Sequence, residues 1–154
     1  NVWGQFYPYI LGKKEIYPEG SIPGTSWSYT AKIKDIETKL IKEGVLLQGD
    51  ELETLYIENE DLLPSGRPKS IGLSLVDGVH KKIESVKYSY INHLKSSWIS
   101  FSRVDESQSI VINGKGFGHG AGMSQWGARI MADRLKMNHQ DILKFYYTGV
   151  KIEP

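Results

Sequence analysis

The segment that most restricts how this chain can fold is GKGFGHGAGMSQWGA, residues 114–128. It places five glycines within the nine positions 114–122, with one histidine, His119, among them. Glycine adopts backbone conformations that other residues avoid, and it lets a ligand approach the backbone closely. Helix-forming sequence follows at once. The segment therefore predicts either a tight connection or a loop that lines a binding site, immediately before a helix that begins near Ser124.

The composition indicates a folded protein that is not specialised for nucleic acid. The chain has 154 residues, of which 40% are hydrophobic, and its 19 basic and 18 acidic residues leave a net charge of +1. We expect a single domain over residues 1–154, because the chain can bury a core and lacks the basic stripe that nucleic-acid binding needs. The absence of cysteine excludes disulfides, thiolate zinc sites and cysteine nucleophiles.

The first two thirds of the sequence predict a helix followed by a sheet. Residues before 32 are rich in aromatic residues, Gly and Pro, which favours loop with short extended pieces. Ile33, Ile36 and Leu40 have helical spacing and Gly44 suits a C-terminal cap, so a helix is expected over residues 32–43. Short alternating runs over residues 45–113 predict about four to six strands, mostly antiparallel, with a hairpin at the Asp-Gly pair 77–78.

Two helices are expected after the glycine run. The first has one apolar face, and Asn138 and Gly149 suit the N-cap and C-cap of the second. One helix, a sheet and then two helices, without alternation of strands and helices, indicate an α+β fold. The predicted apolar face consists of Met123, Trp126, Ile130 and Met131.

Three kinds of site could use the glycine run. A phosphate-binding loop is disfavoured because the glycine spacing does not fit and no Lys-Ser ending follows. A metal site is disfavoured because His80, His93 and His139 lie in separate segments without ligand spacing, so no metal and no cofactor are expected. A substrate-lining loop would offer glycine N–H groups, a helix N-terminus and the His119 imidazole. A tight connection with a structural histidine remains the alternative, and spacing alone leaves this open.

The segment as a whole resembles the signature of the stage II sporulation protein D family, which includes the amidase-enhancer domains of Gram-positive bacteria. The resemblance continues along nearly all of the chain, but it corresponds to the later part of the family's domain. The matching residues are Val2, Trp3, Gly4, Pro8, Tyr9, Ser65, Gly66, Arg67, Gly116, Gly118, His119, Gly120, Gly122, Met123, Ser124, Gln125, Gly127 and Ala128, and the ending DILKFYYTGVKI also matches.

The resemblance implies an exported domain that acts on peptidoglycan, at the cell wall or the outer face of the membrane. The implied reaction is lytic transglycosylation of glycan strands denuded of stem peptides, and an N-acetylmuramoyl-L-alanine amidase is a possible partner. A membrane anchor is expected only through a segment missing from this sequence. The alternatives are a non-catalytic peptidoglycan-binding or amidase-stimulating module, and a purely structural domain.

This sequence departs from the family at the catalytic acid. The family carries its glutamate in a PSEMP-like helical segment, which this sequence lacks, so we expect the acid upstream of this chain. Glu15 and Glu19 lie in loop sequence, whereas Glu37 and Glu43 lie on the expected solvated side of the first helix. None of these four glutamates is assigned as the acid.

The resemblance assigns site residues in two groups. His119 is expected to polarise the substrate or position the acid, and Ser124 and Gln125 to contact sugar or peptide groups. Ser124 could instead only cap its helix. Arg67 could pair with a lactyl or peptide carboxylate, or it could be a surface ion-pair partner within the protein. The other expected substrate-binding residues are Gly116, Gly118, Gly120, Gly122, Trp3, Tyr7 and Tyr9.

Trp126 has two possible roles. Its indole could stack on a sugar ring, but its place on the expected apolar face of the helix favours packing in the core.

Overall fold

The computed structural model describes residues 7–14, 16, 22, 25–103 and 108–153. The chain divides into two compact units. One, called here the central unit, is Gly24–His119, and the other, the terminal unit, combines Asn1–Pro23 with Gly120–Pro154. Each unit has its own hydrophobic cluster. Trp3 and residues 104–107 are among those outside the described part of the chain.

The described part of the central unit contains two antiparallel sheets of three strands each, in the orders β1-β6-β5 and β2-β3-β4. A 3₁₀ turn, Asn59–Asp61, follows β2. The elements are β1 Ser26–Lys32, α1 Ile33–Lys42, β2 Leu52–Tyr56, β3 Ser70–Leu75, β4 His80–Glu84, α2 Ser85–Ile91, β5 Ile99–Arg103 and β6 Ser109–Lys115.

Helix α1 forms where its apolar spacing predicts and ends at a glycine cap. Ile36 and Leu40 are almost fully buried in the central core, and each such side chain contributes about 2 kcal/mol through removal from water. At the C-terminus Gly44 takes a φ of 68°. Its N–H donates to the Ile41 carbonyl over 3.0 Å, and the Val45 N–H donates to the Leu40 carbonyl over 2.9 Å. This paired pattern is the Schellman cap that a C-terminal glycine favours.

The described part of the terminal unit contains two helices, α3 Gln125–Asp133 and α4 His139–Tyr146. The Asn138 side chain accepts a hydrogen bond of 2.9 Å from the Asp141 N–H, so the predicted N-cap of α4 is confirmed. The predicted C-cap at Gly149 is wrong, because the helix ends at Tyr146 and Tyr147 is its cap. Met131, Ile142 and Tyr146 form the buried cluster between the two helices. No described helix is both long and apolar enough to cross a membrane.

The α+β class, the helix over 32–43, the hairpin at 77–78 and the two last helices are confirmed. Strand β1 is one of the short extended pieces expected in the loop-rich start of the chain. One of the strand interpretations was wrong. The run HKKIESVKYSYI is strand only as far as Glu84 and then becomes α2. The helix buries Ser85, Tyr88 and Ser89, a spacing of three and four residues, although the alternation of β-formers in VKYSYI suggested a period of two.

The core interpretation of Trp126 is wrong. Its side chain is 45% exposed, and Gly127, Ile130 and Met131 are the residues of α3 that are buried. The nearby Arg129 guanidinium lies 5.3 Å from the centre of the Trp126 ring. Trp126 is therefore available at the surface of α3.

Candidate functional site

The glycine run is explained first by its backbone conformation. Gly116, Gly118, Gly120 and Gly122 have φ values of 69°, 75°, 75° and 78°. At such angles a residue with a Cβ atom costs about 1–2 kcal/mol. The alternate glycines are therefore required for a chain that enters the left-handed region at every second residue, and the intervening positions carry Phe117, His119 and Ala121 in this part of the sequence.

In the central unit, backbone hydrogen bonds fix the first half of this loop. The Gly116 N–H donates to the Thr25 carbonyl over 2.5 Å, and the Gly118 N–H donates to the Lys95 carbonyl over 2.7 Å. The Trp27 indole N–H donates to the Gly116 carbonyl over 3.1 Å. The N–H groups of Gly116 and Gly118 are thus already hydrogen-bonded within the protein and cannot donate to a ligand. What these glycines offer a ligand is close approach to the backbone.

His119 is exposed at the end of the central unit, between two left-handed glycines. Around the Cβ position of Gly118 there is open space, with no heavy atom within 4 Å. This combination gives the loop a surface that is poor in side chains beside an accessible imidazole. The catalytic role of His119 stays a prediction.

In the terminal unit, tyrosines accompany the second half of the loop. A Cβ atom on Gly122 would lie 3.3 Å from the Tyr147 hydroxyl oxygen. Tyr147 and Tyr9 have ring centres 6.4 Å apart, and Tyr9 and Tyr7 have ring centres 5.9 Å apart. The Thr148 N–H donates to the Tyr9 carbonyl over 2.9 Å. The predicted wall residue Tyr9 therefore packs with the tyrosine that borders Gly122, and Tyr7 packs with Tyr9, while Trp3 lies outside the described residues.

Ser124 caps helix α3. Its hydroxyl oxygen accepts a hydrogen bond of 3.0 Å from the Gly127 N–H, which satisfies one of the free donors of the first helical turn. Gln125 is the first residue of the helix and its side chain is exposed. The capping interpretation of Ser124 is thereby confirmed, and contacts of Ser124 and Gln125 with substrate stay predictions.

Arg67 lies in the central unit next to the start of the loop. Its Nη2 atom is 3.9 Å from the Cβ position of Gly116, and its Nη1 atom donates to the Ser97 hydroxyl over 3.4 Å. Burial lowers the pKa of the Arg67 guanidinium, because a cation removed from water is less stable. Among the described residues no carboxylate forms an ion pair with it.

Glu37 differs from its predicted position on the solvated side of α1. Its side chain is buried, with 4% exposed. A carboxylate oxygen accepts from the Leu52 N–H over 2.9 Å, and Lys34 forms an ion pair with it at 2.7 Å. Burial raises the pKa of Glu37, but the bonds from Lys34 and the Leu52 N–H outweigh it, so the pKa is lowered overall. Glu37 is an ionised connection between α1 and β2.

Residues that the sequence did not single out also surround the loop. Trp27, Trp98 and Lys115 line a cavity of about 740 Å³ in the central unit. The sequence carried no local signal for Trp27 and Trp98, since both enter the cavity through the pairing of distant segments of the chain. The remaining lining residues are Ser26, Ser28, Ile57, Asn59, Leu62, Gly66, Ile99, Ser100, Asn113 and Gly114.

Within the described part of the chain, no three His, Asp or Glu side chains lie close enough together to hold a metal ion. Glu15 and Glu19 lie outside that part.

The fold and site define an α+β chain in which an alternating glycine loop leads into a capped helix. Over about a third of its length this chain is similar to proteins named stage II sporulation protein D and amidase enhancer, so the resemblance is confirmed. A stage II sporulation protein D of Bacillus amyloliquefaciens is 57% identical over 44 residues, 29% of this chain and 12% of that protein.

Two further relatives extend this comparison. The amidase enhancer of Bacillus subtilis strain 168 is 40% identical over 58 residues, 38% of this chain and 8% of that protein. An uncharacterised protein of Brachyspira hyodysenteriae is 50% identical over 54 residues, 35% of this chain and 14% of that protein. The matched segments are therefore small parts of longer relatives. No protein family model matches the chain.

Proposed function

We propose that this chain is the glycan-binding part of a peptidoglycan-acting protein of the stage II sporulation protein D type, working at the cell wall outside the cytoplasm. The observation that carries the proposal is the series of left-handed glycines at 116, 118, 120 and 122. It leaves a backbone surface low in side chains beside the exposed His119, which suits the close approach of a sugar strand. The names of the similar proteins support the cell-wall setting.

The reaction we propose for the whole protein is lytic transglycosylation. It needs a carboxylic acid of raised pKa that protonates the glycosidic oxygen and then accepts the proton of the muramic 6-hydroxyl. The structure lowers the pKa of Glu37, Asp50 and Asp61, which is the opposite of what this acid needs. We therefore place the acid outside these three groups, and this chain supplies substrate binding through His119 and the glycine loop.

Binding to denuded glycan strands tests the proposal. We expect the chain to co-sediment with purified strands and the His119→Ala variant to bind about tenfold more weakly, the effect of about 1.4 kcal/mol. His139→Ala is the matched control, because His139 is also exposed but lies at the start of α4. Equal loss in both variants, or no binding by the unmodified chain, would contradict the proposal.

A second candidate is stimulation of an amidase. The exposed Trp126 with Arg129 beside its ring favours it, because aromatic residues and arginine are typical anchors of protein interfaces. The name of the amidase enhancer relative agrees with this role. The test measures the rate of an N-acetylmuramoyl-L-alanine amidase with the chain and with Trp126→Ala. If this second role is correct, the unmodified chain raises the amidase rate, and Trp126→Ala abolishes that increase while still binding glycan.

A further inference from the structure

Two cations of the central unit share one indole ring. The Arg67 Cζ atom lies 5.2 Å and the Lys115 Nζ atom 5.7 Å from the centre of the Trp98 ring. Attraction between a cation and an aromatic face is worth about 0.5–2 kcal/mol. In the described part of the chain neither cation forms an ion pair with a carboxylate.

Backbone hydrogen bonds join Lys115 to the segment that carries Trp98, next to the first left-handed glycine of the loop. The Lys115 N–H donates to the Trp98 carbonyl over 2.9 Å, and the Ser96 hydroxyl donates to the Lys115 carbonyl over 2.6 Å. The Arg67 Nη2 atom is 3.9 Å from the Cβ position of Gly116. The Lys115 backbone is thus fixed at the end of β6, its side chain is exposed, and Arg67 lies in the turn before β3.

The adjoining cavity has the chemistry of a sugar site with a charge preference. Lys115 is the one charged residue among the described residues that line it, and no acidic side chain does so. Asn59, Asn113 and several serines supply amide and hydroxyl groups, the partners that sugar hydroxyl and acetamido groups need. Its volume of about 740 Å³ lies within the range of small-molecule sites.

We propose that Arg67 and Lys115, both held on Trp98, bind a carboxylate carried by the glycan, and that the adjoining cavity holds the sugar that bears it. A guanidinium accepts a carboxylate through two parallel hydrogen bonds, and the ammonium adds a point charge. The choice of a sugar carboxylate rests on the proposed function. The site would therefore respond to free carboxylates on the wall, either the lactyl group of muramic acid or the ends of stem peptides.

The experiment is an NMR titration of the intact chain, followed at the Trp98 indole N–H. The probes are N-acetylmuramic acid, its methyl amide and N-acetylglucosamine. We expect saturable shifts with the acid, and at least tenfold weaker binding of the two neutral sugars. Lys115→Gln and Arg67→Gln should each weaken binding of the acid about tenfold or more, whereas Lys87→Gln, an exposed change on α2, should leave it unaltered.

Several outcomes overturn the proposal. Equal binding of acid and neutral sugars would show that the cations do not contribute. Unchanged binding by Lys115→Gln would show the same, and because the position is exposed we expect this variant to fold. A shift of the same size with inorganic phosphate would make the site a general anion site rather than a carboxylate site.

Longer ligands separate this proposal from the proposed function and distinguish the two carboxylate sources. Preference for denuded strands over their methyl-amidated form supports the lactyl group, and preference for peptide-bearing strands supports the peptide ends. If N-acetylmuramic acid binds at Trp98 but no glycan strand binds, the proposed function fails while the carboxylate site stands. If strands bind but the monosaccharide acid produces no shift, the carboxylate site fails while the proposed function stands.

Discussion

The two halves of the glycine run share a backbone conformation but have different surroundings. In the central unit, Gly116 and Gly118 are hydrogen-bonded to β1 and to the segment before β5, beside Arg67 and Lys115. In the terminal unit, Gly122 contacts a tyrosine and precedes the cap of α3. The first half of the run therefore lies beside positively charged side chains. The second half lies beside a tyrosine ring and the start of a helix.

This difference extends to the interiors of the units. The buried polar side chains of the described chain, from Glu37 to Ser97, all belong to the central unit. The described core of the terminal unit consists of Met131, Ile142 and Tyr146. The same backbone conformation of the glycine run therefore occurs in two units whose interiors pack differently. Substitutions should affect the stability of the two units by different mechanisms.

The largest effect is expected at Gly114, where the run begins. A Cβ atom there would lie 2.0 Å from Cζ2 of Trp27, whose ring covers the strand and whose indole N–H is bonded to the Gly116 carbonyl. Gly114→Ala should therefore lower the free energy of unfolding by about 3 kcal/mol, measured by urea denaturation. Gly12→Ala, which meets open space in the terminal unit, should change it by less than about 0.5 kcal/mol. Equal free energies of unfolding for Gly114→Ala and Gly12→Ala would contradict the expected difference between the two positions.

The second effect is the pH dependence of the central unit. The pKa of Glu37 is lowered from its ordinary value of 4.5, so the folded chain binds this proton less readily than the unfolded chain. The stabilisation is therefore complete above pH 4.5 and is lost as the pH falls through the folded pKa. Glu37→Gln should cost about 2 kcal/mol at pH 7, because the Leu52 N–H and Lys34 lose their charged partner.

The measurement compares unfolding free energies of the two proteins from pH 7 to pH 3. Asp50 and Asp61 also have lowered pKa values, so both proteins should lose stability in acid. The difference between them should shrink as the pH falls below 4.5. A difference that stays constant over this range would exclude ionised Glu37 as the cause.

Glu37 also illustrates which parts of the structure the sequence could predict. The spacing of Ile33, Ile36 and Leu40 defined α1 because helical periodicity is a local property. It could not reveal that Glu37 is buried, since that depends on the approach of β2, fifteen positions away at Leu52. The bounds and pairing of strand β1 could not be predicted for the same reason, because its partner β6 lies far along the chain.

The candidate site divides in the same way. The glycine positions and the Ser124 cap follow from neighbouring residues, so they could be predicted locally. The association of Arg67, Trp98 and Lys115 could not, because the three residues come from the turn before β3, the residue before β5 and the end of β6, and they meet only in the folded chain.

A smaller effect on stability is expected at two left-handed glycines, one in each unit, which can be compared directly. Gly118→Ala and Gly122→Ala should each cost about 1–2 kcal/mol, since both positions have left-handed backbone. Gly122→Ala should cost more, because its Cβ would crowd the Tyr147 hydroxyl at 3.3 Å, whereas Gly118 has open space. Tyr147→Phe should abolish the excess in the double variant, measured by thermal unfolding. An excess that persists in the Phe background would point to a cause other than this contact.

The smallest expected effect separates capping from substrate contact at Ser124. Ser124→Ala should lower the free energy of unfolding by about 1 kcal/mol, because the Gly127 N–H loses its acceptor. Asn138→Ala removes the equivalent cap of α4 and should cost a similar amount. Ser124→Asp should retain the stability, since aspartate accepts the same bond. Glycan binding then decides the role: loss in Ser124→Asp with stability intact indicates that the hydroxyl contacts substrate, and unchanged binding indicates that the serine acts only as a cap.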